Sequence, residues 1–478
     1  MKKFTLVSLA MMASASCFAQ TTLWNGENPE ISNKDYAGFW SDGKPELCDN
    51  PETNGINNSA HCLKFTINKD SKVVKLPFRE WMKPSMNGSK RISLMIKKNV
   101  NENVCVELSD PTDGSVGYWK KQVVWYSGDN KWQKLVFDFS SNGDFDNPGI
   151  MTITAQTNDF EGEQTVYIDN IVIEDAPRIN GKLFSEYNAE NPITGDLKIT
   201  GAWMKGASLN ADADWKENTY NDFEYFNSHA TDGVTSVDMR GTVTKDVDVA
   251  QFFKNPNTIV YADAAYDHAN VVVNGTAASV ELTDVNAFNA PYDFTAELVK
   301  LTRSLQKNGI NSFVLPFEVS ANELGASKVA TYKSCDLGNV ANFETAESVV
   351  ANTPFLTTDA KEASELTFTN KSIVATPETL GTNFVGVYTR TNAEGKYGID
   401  EKGNLHKGGA GAYVNPFHAY LNVEGVTSVA FDGSVTAINN IAADKVANTA
   451  VYDLSGRRVN GKLQKGLYIM NGKKVVVK

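Results

Sequence analysis

The chain has 478 residues, of which 41% are hydrophobic and 21% charged, a globular composition with room for about three domains. Its net charge of -12 argues against nucleic-acid binding, which draws its affinity from Lys and Arg on phosphates.

At the N-terminus, Lys2 and Lys3 precede an apolar run over 4–15, too short for a membrane-spanning helix. Small residues, Cys17 and Ala19, stand at the -3 and -1 positions of a cut after Ala19. Residues 1–19 therefore read as a cleaved secretory signal peptide, with a lipoprotein cut before Cys17 as the alternative. No later segment reaches the ~20 apolar residues of a transmembrane helix. After the cut, Cys48, Cys62, Cys105 and Cys335 remain, without a CxxC or a metal-type Cys/His spacing. Cys48 and Cys62 could close a short loop worth ~3 kcal/mol in an oxidising compartment. The alternative is that all four are small buried hydrophobes.

Strand signals dominate the chain beyond the cut, and an all-β class is expected. HCLKFTI at 61–67, KLVFDF at 134–139 and MTITA at 151–155 alternate and are set apart by turn clusters such as DPTDG at 110–114 and SNGD at 141–144. A first domain, 20–176, closes on the alternating strand TVYIDNIVIE at 165–174, and PRING at 177–181 reads as a linker. A second β-rich region, 182–290, holds TSVDM at 235–239, NTIVY at 257–261 and NVVVNG at 270–275. These resemble coils of a small solenoid, although no fixed period is evident. A third region, 291–433, opens on 294–307, which fits a helix or a strand. The last 28 residues, VYDLSGRRVNGKLQKGLYIMNGKKVVVK, read as a small β-module with an Asn471-Gly472 hairpin turn. Seven basic residues there face one acidic residue, Asp453; solvated side chains on an ordinary last hairpin are the plain alternative.

The order YDLSGRRV, KGLYI, NGKKVVVK over 437–478 resembles the C-terminal sorting domain of type IX secretion cargo. Gly456, Arg457, Arg458, Gly466, Tyr468, Gly472 and Lys473 carry that likeness. It implies a small β-sandwich-like address, recognised by the type IX secretion machinery and commonly removed. The cargo passes through the periplasm and is then released or attached to the outer-membrane surface. VLPFEV at 314–319, ANTPFL at 351–356 and PFHAYL at 416–421 resemble an uncharacterised β-sandwich-like module of large surface proteins in the same bacteria, which favours a strand over 294–305.

Six of the eight Trp lie in the first 132 residues. Aromatic faces stack on the apolar faces of sugars while polar neighbours satisfy the hydroxyls. Trp40, Trp81, Tyr118, Trp119, Trp125 and Tyr126 are the candidates, and the even spacing of Trp119 and Trp125 puts them on one face of a strand. Trp40, the strand at 57–65 and YIDNI at 167–171 resemble a galactose-binding-like jelly roll, the fold of many carbohydrate-binding modules. That likeness implies a structural Ca²⁺ at Asp169, assisted by Glu27. No HExxH, GxSxG or P-loop is present, so no catalytic residue is assigned and no enzyme is expected. The Asp212 and Asp214 pair reads as a turn. Two readings stand: a glycan-binding protein using the first domain, with a polysaccharide or glycoconjugate as partner, and a structural or adhesive protein whose β-modules are spacers or contact proteins.

Overall fold

The computed structural model describes residues 20–27, 45–53, 56–77, 85–86, 90–109, 120–140, 148–204, 222–245, 249–336, 339–435, 451–452, 458–459, 465–470 and 473–477. The class is all-β.

The chain divides into two units. The first begins with ten strands: β1 Gln20–Trp24, β2 Glu46–Asp49, β3 His61–Ile67, β4 Val73–Pro77, β5 Lys90–Lys98, β6 Glu102–Ser109, β7 Lys120–Tyr126, β8 Gln133–Asp138, β9 Ile150–Thr154 and β10 Gln164–Asp175. They form two antiparallel sheets, β2-β3-β10-β5-β8 with β1 on β10, and β4-β9-β6-β7. Successive strand residues point to opposite faces, so each sheet offers one apolar face. Phe65, Ile96 and Phe137 from the first sheet meet Val106, Leu108 and Ile153 from the second in one core, which makes a sandwich. The alternation breaks once in β10. The register against β5 shifts between Asp169 and Val172, and Asn170 takes φ of 46°. This bulge lets Ile168 and Ile171 both reach the core.

The stretch read as a linker begins the next sheet. β11 Arg178–Ile179 pairs with β12 Lys182–Leu183 and with β13 Ile193–Thr200. Between β11 and β12, Asn180 and Gly181 hold φ of 50° and 79°, as a two-residue type I′ turn requires. After β14 Ala202–Met204 comes the helix α1, Asp222–His229, followed by β15 Ala230–Asp238, β16 Val243–Lys245, β17 Ile259–Ala262, β18 Val271–Val273 and β19 Thr276–Thr283. Strands β13, β15, β17 and β18 pair in parallel, so these segments are stacked coils. Buried Asn side chains bind the coils: Asn255 donates to the carbonyls of Val234 and Ala287, and Asn257 to those of Thr283 and Asn286. The core collects Trp203, Phe223, Phe226 and Phe252.

The segment that fitted either helix or strand is the strand β20, Phe294–Leu305, with burial alternating along most of its length. In the second unit, one sheet holds Lys328–Asp336, Val340–Ala346, Phe355–Thr358 and Ser428–Phe431, and another holds Phe384–Val387, Tyr397–Ile399 and His418–Leu421. Ala330, Phe343 and Leu356 of the former share a core with Phe384, Tyr397 and Leu421 of the latter, a second sandwich. The last residues form an antiparallel sheet ordered Arg458–Val459, Val451–Tyr452, Gly466–Met470, Lys473–Val477.

Candidate functional site

The outer face of β4-β9-β6-β7 is the candidate. Along β7 the burial alternates until its end, with Lys121, Val123 and Trp125 outward. Register carries this face across the sheet in three rows. Trp125 stands opposite Asn103. Val123 stands opposite Cys105, and Thr154 and Val73 continue the row. Lys121 stands opposite Glu107, with Thr152 and Lys75 beyond it. Inward residues of the same strands, Val104, Val106, Leu108, Met151 and Ile153, are buried in the core, which fixes the outward assignment.

Trp125 is 38% exposed and Val123 50% exposed, an apolar strip on the edge strand β7. Charge lies beside it. Burial pushes the Glu107 carboxyl up, while the Lys121 and Lys75 ammonium groups pull it down. Cys105 is raised by burial and by Glu107. The face thus joins a flat indole to amide, hydroxyl, carboxylate and ammonium groups on one rigid sheet, the mix that takes a polar ligand with apolar faces. Sequence reasoning found Trp125 but not Asn103, Glu107, Thr152 or Thr154, because only strand register brings these beside it.

Tyr126 is corrected: it is wholly buried, its hydroxyl donating to the Lys98 carbonyl at 2.9 Å or the Lys131 carbonyl at 2.7 Å. Neighbouring strand residues face opposite ways, so exposing Trp125 places Tyr126 in the core. Trp40, Trp81, Tyr118 and Trp119 lie outside the described residues. Trp24, Trp132 and Trp203 are buried; the Trp132 indole donates to Asn50 Oδ1 at 2.9 Å.

Asp169 is fully buried at the β10 bulge. Its Oδ1 accepts the N–H of Asn170 at 2.7 Å and of Gly26 at 3.5 Å. Its Oδ2 accepts Asn57 Nδ2 at 2.9 Å and the Ser59 hydroxyl. Glu27 accepts the N–H of His61 at 2.6 Å. A hard cation takes six to eight oxygens. Here N–H groups point at both carboxylates, and among the described residues no three His, Cys, Asp or Glu side chains gather to hold a metal. Asp169 ties the N-terminal strand and the 57–59 segment to β10.

Of the sorting residues, Arg458, Gly466, Tyr468 and Lys473 lie on strands of the last sheet, and Gly456, Arg457 and Gly472 lie outside the described residues. Among the described residues no helix is long and apolar enough to cross a membrane.

No family model and no curated protein matches the chain. Similar solved structures include carbohydrate-binding modules from the β-sandwich superfamily, at 19% identity, TM-score 0.24, over 32% of this chain and 60% of that one. Another is a family 11 carbohydrate-binding module of a cellulosomal cellulase of Clostridium thermocellum, at 17% identity, TM-score 0.22, over 33% and 95%. A third is an exo-β-agarase, at 12% identity, TM-score 0.26, over 33% and 26%. The chain thus spans less than two thirds of the first and third. All three TM-scores are below 0.5, and the functional reading rests on this chain's own geometry.

Proposed function

We propose that this is an exported, non-catalytic glycan-binding protein that takes a polysaccharide or glycoconjugate on the outer face of β4-β9-β6-β7. The exposed Trp125 indole beside Val123 carries the reading. A pyranose ring stacks its apolar C–H face on the indole, and Asn103, Glu107, Lys121 and the Thr hydroxyls exchange hydrogen bonds with the sugar. The signal peptide and the 437–478 tail deliver the chain through the periplasm to the outer surface by type IX secretion, to be released or surface-attached.

The test is Trp125→Ala, assayed on a panel of plant and host polysaccharides by affinity electrophoresis and Trp fluorescence. Removing an aromatic anchor costs about 2 kcal/mol, roughly thirtyfold in Kd. The loss is expected without a change in Tm, since the ring is partly exposed, and Trp125→Phe should retain part of the affinity. Unchanged affinity in Trp125→Ala, or no retardation by any glycan, would overturn the proposal and leave the adhesive reading in front.

A further inference from the structure

Two thiols that the proposed site does not use face each other in the first sandwich. Cys48 on β2 stands opposite Cys62 on β3 in the antiparallel register, with sulfur atoms 3.7 Å apart. Cys62 is fully buried and Cys48 half-buried. Cys105 lies on β6 of the other sheet, and Cys335 belongs to the second unit.

We infer that Cys48 and Cys62 are a disulfide site that staples the edge strand β2 to the core of the sandwich. Strand β2 has one ladder neighbour, β3, and forms the open edge of its sheet. The chain between the two cysteines carries the polar clamp of the domain. Asn50 donates to the carbonyls of Asn57 and Ser59 and accepts the Trp132 indole N–H. Asn57 donates to buried Asp169. Closing the loop at its base would hold these groups in place before the sheets pack, the entropic benefit of a covalent loop.

The chemistry needs an oxidant, here a disulfide such as that of a thiol oxidoreductase or oxidised glutathione. The half-exposed Cys48, as thiolate, attacks that disulfide, giving a mixed disulfide and releasing one thiol. Cys62, deprotonated in its turn, then displaces the second thiol. One S–S bond forms in the protein and one breaks in the oxidant, which leaves as two thiols with the two protons and two electrons. Burial raises both protein thiols, Cys62 strongly. High-pKa thiols leave slowly, so the bond, once made, resists exchange and serves structure rather than redox relay.

The test uses the purified chain from Gln20 onward, which lacks Cys17, incubated with oxidised glutathione, then denatured and alkylated without reductant. The expected result is alkylation of Cys105 and Cys335 alone, a peptide pair joined through Cys48 and Cys62, and a Tm higher by roughly 5 °C than after reduction. Alkylation of Cys48 and Cys62 at the same level as Cys105 would overturn the inference, as would a persistent glutathione adduct on Cys48. The mass measurement needs no variant. In a folded Cys48→Ser/Cys62→Ser protein, Tm should no longer respond to reductant; an undiminished response would also overturn it.

Discussion

Lys98 ends β5 with its side chain inside the sandwich. Its ammonium donates to the Ala155 carbonyl at 2.8 Å and the Glu102 carbonyl at 3.2 Å, and stands 5.3 Å from the centre of the Tyr126 ring. Burial pulls it down to about 8, against the Glu102 carboxylate, which pulls it up. An unfolded lysine titrates near about 10.4. Between these values the unfolded chain holds a proton that the folded chain has lost, so stability rises with pH across the window; below about 8 the penalty stays whole. Tyr126 acts later and in the opposite sense: burial pushes its phenol to about 12, so stability falls above about pH 10 as the unfolded phenol ionises. Urea unfolding at pH 7.5 and 9.5 is expected to show a gain of about 2 kcal/mol, which Lys98→Met should abolish. A flat profile in the wild type would show that the buried ammonium bears no such penalty. Nothing in the sequence marks Lys98, because a lysine ending an alternating run reads as a solvated strand end.

At the scale of elements, more was legible. Alternation located β3, β8, β9 and β10. The same alternation requires Trp125 and Tyr126 to face apart, but only the pairing of β7 with β6 decides which ring meets solvent. Parallel pairing of β13, β15, β17 and β18 was harder to see, because coils joined by unequal crossovers leave no fixed period and their cement is the scattered Asn255, Asn257 and Asn270. The PRING stretch misled because its turn dipeptide serves a hairpin, not a connection. The terminal sheet is the element on which the export proposal stands. If it is an address, removing 437–478 should leave the chain in the periplasm, read by cell fractionation and immunoblotting, and grafting it behind a signal-bearing carrier should release the carrier. Undiminished release of the truncated chain would end the sorting assignment.

On the scale of the whole molecule, the first sandwich and the coils after it belong to one unit. A buried ion pair joins them. Arg91 of β5 grips Asp222, the first residue of α1, through both terminal nitrogens at 3.0 and 3.1 Å, and its Nε donates to Asp138 at 3.1 Å. The Arg91 and Asp222 side chains are 2% and 1% exposed. Such a pair adds little net stability over an apolar replacement, but removing Asp222 takes its carboxylate from both terminal nitrogens of the buried guanidinium, which keeps Asp138 at Nε, at a cost of about 2–3 kcal/mol. Asp222→Ala is therefore expected to lower the midpoint of urea unfolding steeply and to split one transition into two, because the sandwich loses the contact through which the coils share its stability. Replacing both partners, as Arg91→Met with Asp222→Leu, should recover most of the loss. A loss below about 1 kcal/mol in Asp222→Ala would show that the ion pair does not couple the two parts. Trp125 lies on the other sheet of the sandwich, β4-β9-β6-β7. Glycan affinity should therefore survive Asp222→Ala below its unfolding midpoint, and a parallel loss of affinity would mean that the sugar-binding face depends on the coils as well.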